Sequence, residues 1–305
     1  MPQNQVGLLL SQQQIAVPVV ARRELLDRIA AAGIDHIGVG DHISFFIGVG
    51  FDGLVGAASL LGSHPSLPVH VGVYLLPLRH PVPVARQLVT ISELAPGRLV
   101  LGVGVGGEDR HEVEICGVDP SSRGRRMDES LEVLRGLLSG RPVSFHGEFF
   151  DIDDALVAPV PSEPIPVLVG GRSDAAIRRA ARFGEGWWAI WVSPRRFGEA
   201  VSEIESIAIG EGRDRVPMQH ALNVWCGFGS GRDEARAALA PTMEAFYQLP
   251  FERFERWSPY GTAEEVADFL APYCEAGCSH LNLIPQAANL DRAIEGVARV
   301  KGLLS

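Results

Sequence analysis

The sequence predicts an α/β fold: a (β/α)8 TIM barrel with insertions after strands 4 and 7. Short apolar, β-branched runs alternate with segments of helical period along 305 residues, and such alternation implies a parallel sheet. Eight strand–helix units can be counted, and eight units in a chain of this length fit a closed barrel. Several strand runs also end in glycine or polar residues, where a barrel or an open sheet carries its chemistry. The alternative is a doubly wound open sheet. No composition break or linker interrupts the chain, so residues 1–305 read as one domain.

The first strand is the apolar run Val6–Ser11, followed by a helix over Pro18–Ala32 that opens with an early proline and stops at Gly33. Strand two, His36–Gly40, precedes a helix over Asp52–Ser63, and strand three, Val69–Leu76, precedes one over Pro81–Leu94. Strand four, Arg98–Val103, runs into alternating glycines. It is followed by a long amphipathic helix, Ser122–Ser139, with Met127, Leu131, Leu134 and Leu138 on one face. Pro164–Val169 leads into strand five and the helix Asp174–Phe183, and Trp187–Val192 into strand six and the helix Pro194–Ile209. Strand seven, Gln219–Phe228, precedes a helix over Arg232–Phe246; a further helix, Ala263–Ala276, leads to strand eight, His280–Ile284, and the helix Leu290–Leu303. Two insertions stand out. Val143–Ile152 alternates like a hairpin around His146-Gly147-Glu148, and the aromatic, proline-punctuated Leu249–Tyr260 is placed to cover the barrel mouth.

Composition narrows the chemistry. Hydrophobic content of 46% with 21% charge describes a globular chain, and no apolar run is long enough to cross a bilayer. The start Met1-Pro2-Gln3-Asn4-Gln5 lacks the basic region of a signal peptide, so the expected location is cytoplasmic. A net charge of −10 with no basic stripe argues against a nucleic-acid partner. The four cysteines have no metal spacing, and no metal site is expected. Among 27 basic residues the one lysine is Lys301, near the C-terminus. Schiff-base chemistry and phosphate-binding P-loops require a lysine within the site, so both are excluded as expectations.

The candidate site residues stand at strand ends. Gly40-Asp41-His42 puts an acid and an imidazole at the mouth, suited to acid–base work; in the structural reading Asp41 caps a loop and His42 is a hydrogen-bonded framework residue. Tyr74 and Arg79, after strand three, are suited to contact a ring and an anion, or Arg79 pairs with a surface carboxylate. Gly102-Val103-Gly104-Val105-Gly106-Gly107 turns abruptly into Glu108-Asp109 and lets a ligand approach the backbone. Gly170-Gly171-Arg172-Ser173-Asp174 opens a helix and forms a phosphate cradle, or Ser173 or Asp174 is its N-cap. Strand alternation sends Trp187 and Trp191 to one face and Trp188 to the other.

These segments, with Leu76-Pro77-Leu78-Arg79-His80-Pro81, Arg123-Gly124-Arg125-Arg126-Met127-Asp128-Glu129 and Phe145-His146-Gly147-Glu148-Phe149-Phe150, together resemble the bacterial luciferase-like superfamily. Within it the chain is similar to the deazaflavin (coenzyme F-420) dependent oxidoreductases of actinobacteria, from about residue 6 to residue 300. The resemblance implies that Asp41 and His42 contact the coenzyme, with the imidazole near the hydride-transfer carbon. It places a functional aromatic, tryptophan in sugar-phosphate relatives, at Phe46, and a bulge with a non-proline cis peptide at Val73–Tyr74. It lets Gly104, Gly106 and Gly107 pass the ribityl chain and phosphate, makes Glu108 the nearest match to a catalytic glutamate, and gives the phosphate to Gly170, Gly171 and Arg172. The lysines that hold a sugar phosphate have no counterpart. The expected activity is hydride transfer between coenzyme F-420 and a small organic substrate, by a homodimer. The alternatives are an FMN-dependent monooxygenase of the same barrel and a non-catalytic flavin-binding or deazaflavin-binding barrel.

Overall fold

In the computed structural model, which describes residues 4–107 and 109–305, eight parallel strands close on one another in chain order. They are β1 (Gln5–Leu10), β2 (His36–Val39), β3 (Val69–Tyr74), β4 (Leu99–Val103), β5 (Val167–Gly170), β6 (Gly186–Ile190), β7 (Ala221–Phe228) and β8 (His280–Gln286). Closure is made by β8 on β1, with Gln5 opposite His280, and by β6 on β7, with Trp188 opposite Ala221. The barrel is therefore the predicted one, and the open sheet is excluded.

Nine helices of nine residues or more surround the strands among the described residues: α1 (Val19–Ala31), α2 (Gly53–Leu61), α3 (Pro81–Leu94), α4 (Arg123–Leu138), α5 (Asp174–Phe183), α6 (Pro194–Gly210), α7 (Arg232–Tyr247), α8 (Ala263–Glu275) and α9 (Leu290–Leu304). Each buries one stripe against the strands. In α4 the buried stripe is Met127, Leu131, Leu134 and Leu137, with the expected Leu138 half-buried against the same core. Helix starts follow local chemistry. The Asp52 carboxylate accepts from the Leu54 and Val55 amides, and Thr262 and Glu265 form a reciprocal capping box. No helix among the described residues is long and apolar enough to cross a membrane.

The inside of the barrel is layered. At the end where the strands begin, four imidazoles crowd together: His36 and His70 stack at 3.7 Å between centroids, His280 lies 5.5 Å from His70, and His220 stands at the start of β7. The His36 ring lies over Gly7, where a Cβ would come within 2.1 Å of it, so only glycine fits there. Above this layer the Trp188 indole covers Gly72 and Gly102, donates to Asn223 Oδ1 at 2.8 Å, and forms a floor under the mouth.

At the mouth, the segment after β2 forms an antiparallel hairpin, His42–Phe45 with Val49–Phe51, which the sequence reading missed. A second hairpin, Val143–His146 with Asp151–Ala155, lies between α4 and β5. Residues 249–260 make two short 3-10 turns whose Phe251 and Phe254 are buried with Tyr247 and Trp225.

Candidate active site

The hairpin after β2 is held by carboxylates from the segment after β4. Glu112 sits in a six-residue helix, Arg110–Ile115, and its side chain is 3% exposed. Its Oε1 accepts from the Ile43 amide at 2.7 Å and the Ser44 amide at 3.1 Å, and its Oε2 lies 3.1 Å from His42 Nδ1. Burial pushes the Glu112 carboxyl up, but the hydrogen bond and charge of His42 and the two amides outweigh it, and the net shift is downward. An ionised carboxylate is acceptor-only, so Nδ1 carries the proton and Nε2 is the ring nitrogen left to exchange one with a ligand. Asp109 completes the clamp by accepting from the Phe46 amide at 2.7 Å.

Asp41 is arranged differently. Its side chain is fully buried, and its two oxygens take the Gly53 and Leu75 amides at 2.9 and 2.8 Å and both Arg79 terminal nitrogens at 2.8 and 2.6 Å. Burial pushes its carboxyl up from the ordinary value against the pull of Arg79 and the amides. With four donors on two oxygens, Asp41 has no acceptor capacity left for a ligand. Its work is to tie the ends of β2 and β3 together. Arg79 is spent on the same pair and on the Tyr74 ring, 4.2 Å from its centroid.

His42 opens into a cavity of about 670 Å³ at the barrel mouth, a size suited to a small ligand. One side is lined by Val73, Gly104, Gly106, Gly170, Gly171 and Arg172, and the other by aromatic residues of the hairpin, β7 and α7. Among the described residues lining the cavity, Arg172 is the one permanently charged cation. It stands at the start of α5 with its guanidinium 5.3 Å from the Trp191 ring centroid.

The sequence matches the luciferase-like monooxygenase family over residues 3–271. The chain belongs to that family. An uncharacterised protein of Mycobacterium tuberculosis is 39% identical over 152 residues, 50% of this chain and 52% of that protein, so the chain spans about half the length of these relatives. An F-420-dependent glucose-6-phosphate dehydrogenase of Segniliparus rotundus is 29% identical over 294 residues, 85% of this chain and 87% of that protein. Among solved structures, an F-420-dependent secondary alcohol dehydrogenase matches with a TM-score of 0.85 at 21% identity, covering 99% of both chains. An FMN-bound type II Baeyer–Villiger monooxygenase of Pseudomonas putida matches with a TM-score of 0.75 at 15% identity, covering 98% of this chain and 97% of that one. At these identities the structural matches speak to the fold.

For this luciferase-like barrel, several residue expectations shift. The cis peptide is Gly72–Val73, one bond earlier than expected, with the β3 register broken between Val71 and Tyr74. Val73 therefore faces the cavity, while Tyr74, 1% exposed, packs in the core and is not a ligand contact. Gly104 and Gly170 are glycines because the Val73 side chain fills the space in front of them: a Cβ would meet it at 2.6 and 3.2 Å. Gly106 lines the cavity but Gly107 does not; it lies beside the Arg123 guanidinium, whose buried Nε has no partner. Glu108 lies outside the described residues. The aromatic against His42 is Phe45, at 4.0 Å between centroids, and not Phe46, which has φ 43° and is 39% exposed. At β6, Trp188 and Trp191 both line the cavity because the strand stops at Ile190 and Trp191 takes φ 54°, which breaks the alternation. Trp187 packs outward on Phe197 at 5.2 Å. Ser173 is the N-cap of α5 through the Ala176 amide, as its bland reading had it, and its hydroxyl is thereby engaged. Glu112 is the residue that sequence reasoning missed.

Proposed function

We propose that the protein is a coenzyme F-420-dependent oxidoreductase that transfers a hydride between the coenzyme and a small organic substrate. The carrying observation is the meeting, in one cavity, of an imidazole oriented by a buried carboxylate with a glycine-lined corner that holds a single cation. The relatives that carry F-420 in their names support the same branch.

The donor set fits a planar carrier with an anionic tail. Val73, Gly104 and Gly106 would hold its body, and Gly170, Gly171 and Arg172 its anionic end. Gly171 has φ 126°, a backbone conformation that side chains rarely adopt. The α5 N-terminus beside it adds favourable potential for an anion. When bound, the deazaflavin supplies or receives the hydride. The chain's own part is positioning and proton management. His42 Nε2 holds or accepts the proton at the substrate side, Glu112 fixes the ring and its tautomer, and the Trp188 floor and the aromatic wall keep water out.

The test is an equilibrium titration of the purified protein with F-420 and FMN side by side, read by cofactor fluorescence. F-420 is expected to bind more tightly. Equal or stronger FMN binding turns the reading to an FMN-dependent monooxygenase, a reading that the FMN-bound structural neighbour favours. F-420 binding without turnover of any substrate turns it to a carrier.

A further inference from the structure

We propose that the substrate of this site is an uncharged, predominantly apolar, ring-bearing molecule, held against an aromatic wall that runs from His42 to Trp191. The inference rests on the oxidoreductase reading for the word substrate and adds the class of molecule.

The wall is continuous and comes from four parts of the chain. Phe45, from the hairpin after β2, stacks near His42 and lies 5.0 Å from Phe246 of α7. Phe246 in turn lies 5.8 Å from Trp225 of β7 and 4.9 Å from Tyr247. Tyr247 reaches Trp191 at 5.1 Å, and Phe254 braces both from behind at 4.8 and 5.1 Å. Aromatic rings packed at tilted and edge-to-face angles in this way form a rigid surface that recognises flat apolar groups and loses little side-chain entropy on binding.

The charge pattern points the same way. Among the described residues lining the cavity the ionisable side chains are Asp41, His42, Arg172 and the Tyr247 phenol. Asp41 is neutralised by Arg79, and Arg172 stands at the glycine corner at the far end of the wall. The wall itself carries no charged side chain. A carboxylate or phosphate seated on the middle of the wall, away from Arg172, would be desolvated without a cation beside it, which is strongly unfavourable. Among the wall's own rings hydrogen-bonding capacity is sparse too: the Trp225 Nε1 proton is already given to Tyr247 Oη at 3.0 Å, and the polar side chains that line the cavity, Gln12, Gln13, Thr242 and Gln286 among them, are not part of the wall. A sugar phosphate, with many hydroxyls and two charges, finds one cation, Arg172, at one end of the wall and few donors among the rings themselves. The substrate named for the Segniliparus relative therefore does not suit this wall.

The test uses a matched pair of probes, 2-acetylnaphthalene and its carboxylate 6-acetyl-2-naphthoate, titrated by calorimetry into the full-length protein without coenzyme. The ketone is expected to bind at least tenfold more tightly than the carboxylate. Phe246→Ala is expected to weaken ketone binding by tenfold or more. Thr242→Lys, which puts a cation on the α7 face of the cavity, is expected to shift the preference at least tenfold toward the carboxylate. The proposal is overturned if the ketone does not bind, if the carboxylate binds equally well in the unaltered protein, or if Phe246→Ala and Thr242→Lys both leave the two affinities unchanged. The coenzyme titration described above reports on the oxidoreductase reading alone and the probe titrations on the wall alone, so failure of one is distinguishable from failure of the other.

Discussion

Replacing Glu112 with Gln tests whether a buried carboxylate controls the imidazole proposed to handle the proton. In the native protein Oε1 accepts two backbone amides and Oε2 receives His42 Nδ1–H. A glutamine in the same place keeps an oxygen for the Ile43 and Ser44 amides, so the hairpin stays clamped. Its NH2 then faces Nδ1 and is a donor, which drives the neutral imidazole into the opposite tautomer, with the proton on Nε2. A hydrogen bond to a charged group is worth about 1.5–3 kcal/mol. At about 1.4 kcal/mol per tenfold, hydride transfer should slow by roughly 10- to 100-fold. His42→Ala sets the upper limit, with a loss on the order of 10² to 10⁴. The assay is stopped-flow absorbance of the coenzyme with an accepted substrate, alongside the coenzyme dissociation constant, the pH–rate profile and a thermal melt. In Glu112→Gln the rate and the pH profile should change while coenzyme affinity and the melt hold. Glu112→Ala should in addition lose stability, because two partly buried amides lose their acceptor, at up to about 1–3 kcal/mol each. The Glu112 carboxyl is held below its ordinary range, so the clamp's stability is present above the unfolded carboxylate pKa and is lost only as pH falls through the lower folded value. A Glu112→Gln enzyme with the native rate and pH profile would refute the reasoning and make Glu112 a hairpin clamp alone.

Two further outcomes follow from the same geometry. Arg172→Ala should weaken coenzyme binding by about 1–3 kcal/mol, less at high salt, because its charge is screened; Gly171→Val should weaken it independently of salt, since φ is 126° and a Cβ would stand 2.8 Å from the Ala176 Cβ. Native affinity in both variants would move the anionic end of the coenzyme elsewhere. Burial, with the neighbouring imidazoles, lowers His36 to about 3 and His220 to about 4, and burial lowers His280 to about 4; His70 is lowered as well. The unfolded chain therefore binds more protons as pH falls below about 6.5, and folding stability should drop from there toward pH 4 by up to about 1.4 kcal/mol per pH unit for each histidine. A chemical-denaturation midpoint that stays flat between pH 6.5 and 4.5 would count against the buried neutral cluster.

The barrel was legible because its code is local: eight apolar runs, each followed by a turn and a helical stripe, leave few other folds. The ends of β2, β4 and β5 were legible because glycines, an imidazole and an arginine stand where strands stop. Three errors share one cause, that a single-residue change of register or backbone conformation exchanges the faces of a strand. The bulge in β3 turned Val73 in and Tyr74 out; Phe46 at φ 43° let Phe45 take the aromatic place; Trp191 at φ 54° joined Trp188. Glu112 was missed because its three partners are 68 to 70 residues away in sequence. In Arg110-His111-Glu112-Val113-Glu114-Ile115 it reads as one more solvated acid. A signal existed in the hairpin itself, whose Ile43 and Ser44 amides need an acceptor, and the acid-rich segment after β4 is a natural source.

That need for acceptors organises the acids around the mouth. Asp41 takes the Gly53 and Leu75 amides, Asp109 those of Phe46 and His111, Glu112 those of Ile43 and Ser44, and Glu129 those of Glu148, Phe149 and Phe150. Each takes amides that the barrel, hairpin and helix ladders leave free, and an amide without an acceptor is costly. A carboxylate that must stay ionised to accept several N–H groups is poorly suited to pass a proton, since protonation would break the bonds that hold the mouth. Among the described residues around His42, the proton-passing role that we propose therefore falls to the imidazole, with Glu112 behind it. Acid titration of the Glu112 clamp should open the hairpin and the mouth together, and the loss of coenzyme binding at low pH should follow the loss of protection of the Ile43 and Ser44 amides in hydrogen exchange. Coenzyme loss at a pH where those amides remain protected would separate the clamp from the site.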